Sequence, residues 1–116
     1  MTPFAITVHA SEAGPVLRIA GDLDFNTASG LREEVRRVPL DPGRLLILDL
    51  TDLTFCDSSG ISALIAARNR AVAAGAGIAL AAVPPNTARI LGIVGLDKVF
   101  PIHPDAATAA KTHETP

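Results

Sequence analysis

Two uninterrupted aliphatic runs constrain this chain more than any other feature: "LLILDL" at 45–50 and "GIALAAV" beginning at Gly77. A strand with one wet face alternates apolar and polar residues, whereas a strand covered on both faces reads as a continuous apolar run. Neither run approaches the roughly 20 residues needed to span a bilayer. Between them, residues 58 to 74 have the length and composition of a helix. Strand, helix and strand of these lengths make a right-handed crossover that leaves the two strands parallel in one sheet.

The rest of the chain fits around that unit. "FAITVHA" alternates Phe4, Ile6 and Val8 with Thr7 and His9, "SEAGPV" supplies a turn, and "VLRIAGDL" alternates again through Leu17 and Ile19. These two strands are expected to pair as an antiparallel N-terminal hairpin. From Thr27 to Val38, Ala28, Leu31, Val35 and Val38 recur at helical spacing, with Asn26 or Thr27 as the cap and Pro39 as the stop. Gly30 lowers the intrinsic propensity of that helix by about 1 kcal/mol relative to alanine, so its stability must come from packing.

Further on, "VPPNTARILGIVGL" predicts a short helix capped by Asn86 or Thr87, with Ile90, Leu91 and Val94 turned inward and Gly95 ending it. "KVFPI" fits a brief last strand, and "HPDAATAAK" a terminal helix started by Pro104 and Asp105. Residues 112–116 are expected to fray. The expectation is one α/β domain over 1–111: a mixed sheet with an antiparallel N-terminal hairpin and parallel central strands, packed by about four helices.

Composition narrows the function. With 48% hydrophobic residues in 116, the chain can bury one core, and a net charge of -2 gives no basic field for a phosphate backbone. Nucleic acid is not an expected partner. Four Phe without Trp or Tyr supply no stacking platform. Cys56 is the single cysteine, which excludes an internal disulfide and suits a reducing compartment; no leader or membrane segment is evident, so a cytoplasmic location is expected.

The candidate site is "FCDSSGIS", residues 55 to 62, at a strand-to-helix junction. In an open α/β sheet, functional groups gather where strand carboxyl ends meet helix N-termini. Ser58 stands as the N-cap or first residue of the long helix, and Asp57 and Ser59 are further capping groups, more than one helix end needs. Gly60 is expected to leave the hydroxyl open to a large approaching molecule.

The nucleophile pattern G-x-S-x-G fails at its leading glycine, and His9, His103 and His113 show no pattern that favours a triad. No phosphate-binding glycine motif is present, no metal-ligand spacing occurs, and Cys56 is expected to be plain packing at a strand end. No catalytic residue and no metal site are expected.

What remains is a serine acted upon by another protein. A phosphate on Ser58 adds roughly -1.5 to -2 charges, which local amides and the helix N-terminus accept and a docked acidic or apolar partner does not. On a helical wheel, Ile61, Leu64, Ile65 and Val72 form the inner stripe. Ser62, Ala63, Ala66, Arg70 and Ala73 face outward, a face small enough for close approach by a partner.

"LLILDLTDLTFCDSSGISALIAARNRA" resembles the STAS domain of bacterial anti-sigma factor antagonists, and "GDLD" at 21–24 and "ARILGIVGLDKVFPI" at 88–102 resemble its other recurring segments in the same order. The resemblance covers nearly the whole chain. It implies a partner-switching protein of the kind that governs stress response or sporulation. The unphosphorylated form binds an anti-sigma factor that is also a serine kinase, releasing a sigma factor. The kinase then phosphorylates Ser58 from its own bound ATP, and a PP2C-type phosphatase restores the free hydroxyl.

By that resemblance Asp24 and Asp57 lie near the phosphoacceptor together with Ser59 and Gly60, Ser59 being the fallback acceptor. The partner surface is expected to gather Asp22, Asp24, Asp57, Ser58, Ser62, Ala63, Ala66 and Arg70. On the residues alone, Asp24 is as able to cap the helix near Thr27 or sit in a turn as to take part in kinase recognition. The chain itself is expected to hold no cofactor, to catalyse nothing and to be monomeric when free. The alternative is a STAS regulatory module of a transporter or stress-signalling complex; a small enzyme using Ser58 or Cys56 is a further rival. Two departures stand out: Cys56 occupies a place where the family more often has a thioether or aliphatic residue, and "VPLDPGR" makes a tight, proline-bounded loop.

Overall fold

The computed structural model describes residues 3–114. Its elements run β1 Ala5–Ala10, β2 Pro15–Leu23, α1 Ala28–Arg37, β3 Leu45–Asp49, β4 Leu53–Cys56, α2 Ser58–Ala73, β5 Gly77–Ala81, α3 Pro85–Ile93, a single 3-10 turn, β6 Ile102–His103 and α4 Ala106–Glu114. The sheet order is β1-β2-β3-β5-β6, with β4 paired to β2 off that path. Only β1 and β2 are antiparallel, in the register Ile6 to Ile19 and Val8 to Leu17; every other pairing is parallel.

The two aliphatic runs lie side by side at the centre, Leu46 against Ile78 and Leu48 against Leu80. Alternation along β3 divides its side chains between two cores, which is why the run has no polar member before Asp49. Leu46 and Leu48 point to the large core with α1, α2 and α3, and Leu45 and Ile47 point to a smaller one closed by Ala109 of α4. Ala28, Leu31 and Val35 of α1, and Val38 at its C-cap, are buried as their spacing requires.

The strand before α2 is not a continuation of the run at 45–50, as the sequence alone suggests, but a separate element. Leu53 N–H donates to Leu50 carbonyl O at 3.1 Å, closing a turn, and a separate strand, β4, then moves sideways to pair with the last residues of β2. Its four residues carry too little periodicity to be legible. The last strand is two residues, not "KVFPI": Leu96–Lys98 is a 3-10 turn, and Phe100 plugs the core at 1% exposure. The expected tail from Thr112 is helical to Glu114, with His113 Nε2 2.9 Å from Gly43 carbonyl O; residues 115 and 116 lie outside the described ones.

Helix α3 starts earlier than its candidate caps suggest. Pro84 is the N-cap and Pro85 the first helical residue, a place where a missing N–H costs nothing, so Asn86 and Thr87 fall inside the helix. Gly95 ends it in the left-handed region at φ 78°. Its inner stripe is narrower than expected: Leu91 is buried, Ile90 half-buried, and Val94 is 57% exposed.

Candidate functional site

The site is built where β2 and β4 end side by side. Their parallel register sets Leu23 opposite Cys56, so Asp24 and Asp57 are each the first residue beyond the ends of two adjoining strands, although more than 30 residues separate them in sequence. Asp22, one pair earlier, is exposed and accepts from Thr54 Oγ1 at 2.7 Å across the two strands.

The hydroxyl of Ser58 does not cap α2. Asp57 is the N-cap, its Oδ1 accepting from Gly60 N–H at 3.0 Å while its own N–H donates to Leu23 carbonyl O at 3.2 Å. Ser58 is therefore the first helical residue, exposed, and neither its hydroxyl nor that of Ser59 makes a hydrogen bond among the described residues. The two serines also face different ways. Ser58 opens on a cleft of about 330 Å³ beside Ile61, Ile90 and Val94. Ser59 opens on a second cleft, lined by Phe25, Ser29 and Arg32 on the α1 side; Ser62 borders both.

Gly60 faces inward, contrary to its expected role of opening the surface. A Cβ there would stand 2.4 Å from Leu23 carbonyl O and 2.7 Å from Cys56 Sγ, so the absent side chain lets the first turn of α2 sit directly on the ends of β2 and β4. That contact fixes where Ser58 emerges.

Asp24 shapes the adjoining turn. Its Oδ1 accepts from Asn26 N–H at 2.9 Å and Thr27 N–H at 3.2 Å, ahead of α1, while Thr27 Oγ1 donates to Asp22 carbonyl O at 2.7 Å. The turn role is thus occupied. Neither Asn26 nor Thr27 caps α1 through its side chain, and the Asp24 carboxylate serves the turn ahead of the helix, while the Asp24 carbonyl O accepts from Ala28 N–H at 2.8 Å.

Burial pushes the Cys56 thiol up to about 11, and the Asp57 carboxylate adds to the rise, so the sulfur is protonated at neutral pH and its S–H points to Asp57 carbonyl O at 3.7 Å. No histidine lines either cleft among the described residues.

The helical wheel for α2 is rotated from its expected setting. The buried stripe is Gly60, Ala63, Leu64, Ala67 and Ala71; Ile61 and Ile65 flank it half-buried, and Val72 is 57% exposed. Ala63 is thus core and not partner surface. Glycine and alanine let the helix approach the sheet closely, and in a helix apolar on several faces that closeness, not side-chain bulk, selects the inner one. Ser62 is exposed, Ala66 half-buried and Arg70 exposed, as expected of an outer face.

An apolar rim that no sequence period announces surrounds the junction. Phe25 is 80% exposed, Phe55 53% and Ile93 77%, all near the junction or on α3. Two of only four phenylalanines flank "GDLD" and "CDSSG" directly, which was the available signal.

Together, fold and site define a small α/β domain that presents uncommitted hydroxyls at the carboxyl edge of its sheet, ringed by carboxylates and exposed apolar side chains. The chain belongs to the STAS domain family, whose model matches residues 5–109. It is 34% identical over 100 residues to a STAS-domain containing protein of Pseudomonas aeruginosa, covering 84% of this chain and 98% of that one. It is 31% identical over 100 residues to the anti-sigma-F factor antagonist RsfB of Mycobacterium tuberculosis, covering 84% and 81%. Among solved structures, an anti-sigma factor antagonist from Mycobacterium paratuberculosis superposes with a TM-score of 0.79 at 25% identity, over 95% of this chain and 93% of that one.

Proposed function

We propose that this chain is an anti-sigma factor antagonist whose binding is switched by phosphorylation of Ser58. The observation that carries the reading is the division of labour at the start of α2. Asp57 satisfies the helix end, Gly60 locks it to the sheet, and Ser58 is left exposed with its hydroxyl unengaged. The named relatives that are anti-sigma factor antagonists support the same assignment.

In this reading the bare form docks on an anti-sigma factor that is also a serine kinase, over Ser58, Ser62 and the apolar rim. The kinase's bound ATP donates its γ-phosphoryl group to Ser58 Oγ, the hydroxyl proton leaving to a base on the kinase. The new charge faces a cleft of Ile61, Ile90 and Val94 and stands beside Asp57, so a partner seated there meets an uncompensated dianion, while the helix N-terminus holds the phosphate without unfolding. A PP2C-type phosphatase reverses the step. The chain acts as binder and phosphoacceptor in the cytoplasm, monomeric when free, and needs no cofactor. No helix among the described residues is long and apolar enough to cross a membrane.

Incubation with the cognate kinase and ATP, followed by peptide mapping, tests the assignment. Phosphate is expected on Ser58, and Ser58→Asp is expected to lose kinase binding while Ser58→Ala keeps it. Phosphate confined to another residue, or equal binding by the Asp variant, overturns it.

A further inference from the structure

A second feature lies further along α2. Arg32 and Arg36 of α1, one turn apart, face Arg70 of α2 across a groove of about 170 Å³ whose floor is Val35, Ala66 and Ala67. In a chain of net charge -2 this brings three guanidinium groups to one cleft. Arg36 is paired with Glu33 at 3.0 Å, but Arg32 and Arg70 make no ion pair or side-chain hydrogen bond among the described residues. Both are exposed.

The groove's size and lining decide what it takes. Drug-sized ligands need pockets of roughly 300 Å³ or more, so this one admits one or two side chains. Its alanine floor accepts methylene stems and its rim offers planar forks that match carboxylates. A rise of about 1.5 Å per residue puts Ala66 about 12 Å and Arg70 about 18 Å from Ser58 along α2. A partner burying about 800 Å² on this chain covers a disc of about 16 Å radius, so one partner centred near Ser62, which borders both clefts at the start of α2, covers Ser58 and Arg70 together.

We propose that the α1–α2 groove is a second docking point, which takes carboxylate side chains from an acidic segment of the protein that meets Ser58. The surface along α2 is then electrically polar, with Asp22, Asp24 and Asp57 at one end, Arg70 at the other and Arg32 between them, and this polarity sets the register of the docked partner. Identification of that partner rests on the function proposed above; the chemistry of the groove does not.

The groove is tested on the full chain by NMR of the arginine Nε–H signals during titration with an oligoglutamate peptide, with inorganic phosphate at equal charge as the comparison. Salt-sensitive shifts of Arg32 and Arg70 with peptide are expected, and R32Q/R70Q is expected to lose peptide affinity as read from the remaining Arg36 Nε–H and the backbone amides of the groove. Peptide binding elsewhere, no shifts, or equally strong shifts with phosphate overturn the proposal. In the second arm, affinity for the cognate anti-sigma factor is expected to weaken about three- to fivefold in R32Q or R70Q and about tenfold in the double variant, with a shallower salt dependence. Unchanged affinity and salt dependence there overturn the assignment of the segment to that partner. If Ser58→Asp leaves kinase binding intact while the peptide arm succeeds, the function reading fails and the groove stands.

Discussion

Gly30 and Gly60 occupy the same position, the third residue, of α1 and α2, and the same substitution at the two is expected to act in opposite directions. An alanine Cβ at 60 would stand 2.4 Å from Leu23 carbonyl O, 2.7 Å from Cys56 Sγ and 3.0 Å from Leu23 Cγ, so the first turn of α2 must retreat by about 1 Å. Overpacking of this kind costs about 1–3 kcal/mol, and stretching the 3.2 Å bond from Asp57 N–H to Leu23 carbonyl O costs up to about 1 more. The gain in helix propensity returns less than about 1 kcal/mol. The net loss is about 2 kcal/mol. At roughly 2.1 cal/mol/K per residue over 116 residues, that lowers the melting temperature by about 8 °C.

At Gly30 the nearest obstacle to a Cβ is Phe4 Cε2 at 3.4 Å, an ordinary contact, so Gly30→Ala is expected to stabilise by about 0.5–1 kcal/mol. Urea unfolding with an unchanged slope, supported by thermal melts, reads both values. Cys56→Ala should rescue Gly60→Ala only in part, because the backbone carbonyl remains. A Gly60→Ala variant as stable as the parent would refute the close approach on which the placement of Ser58 depends.

Three further outcomes follow from the same geometry. Asp57→Ala removes the α2 cap and should cost about 1 kcal/mol in urea unfolding, whereas Asp57→Asn, which still accepts from Gly60 N–H, should cost a few tenths. Ser58→Asp should leave stability within about 0.5 kcal/mol of the parent, because the side chain is exposed and the helix N-terminus favours a negative charge; a larger loss would contradict a scaffold that accepts phosphate. Cys56 has a folded-state pKa raised to about 11 from the usual 9.0, so its contribution is fully present below pH 9 and is lost as pH rises toward about 11, the unfolded thiol ionising first. Unfolding free energies measured across that window should fall more steeply in the parent than in Cys56→Ala, and native Cys56 should resist alkylation at neutral pH.

Much of this protein is determined by the sequence alone, because the signals are local or periodic. The aliphatic runs at 45–50 and from Gly77 specify central strands, alternation specifies the hairpin, and Asp57-Ser58-Ser59-Gly60 marks the helix start that carries the site. Tertiary structure decided the rest. Strand β4 exists because the end of β2 offers it a partner, and no pattern within Leu53–Cys56 announces that. The inner face of α2 is its glycine and alanine stripe because close approach to the sheet outweighs the bulk of Ile61, Ile65 and Val72, a comparison available only once the sheet is in place. Asp24 stands beside Asp57, and Arg32 faces Arg70, through contacts between residues about 30 or more positions apart, where no sequence period reaches.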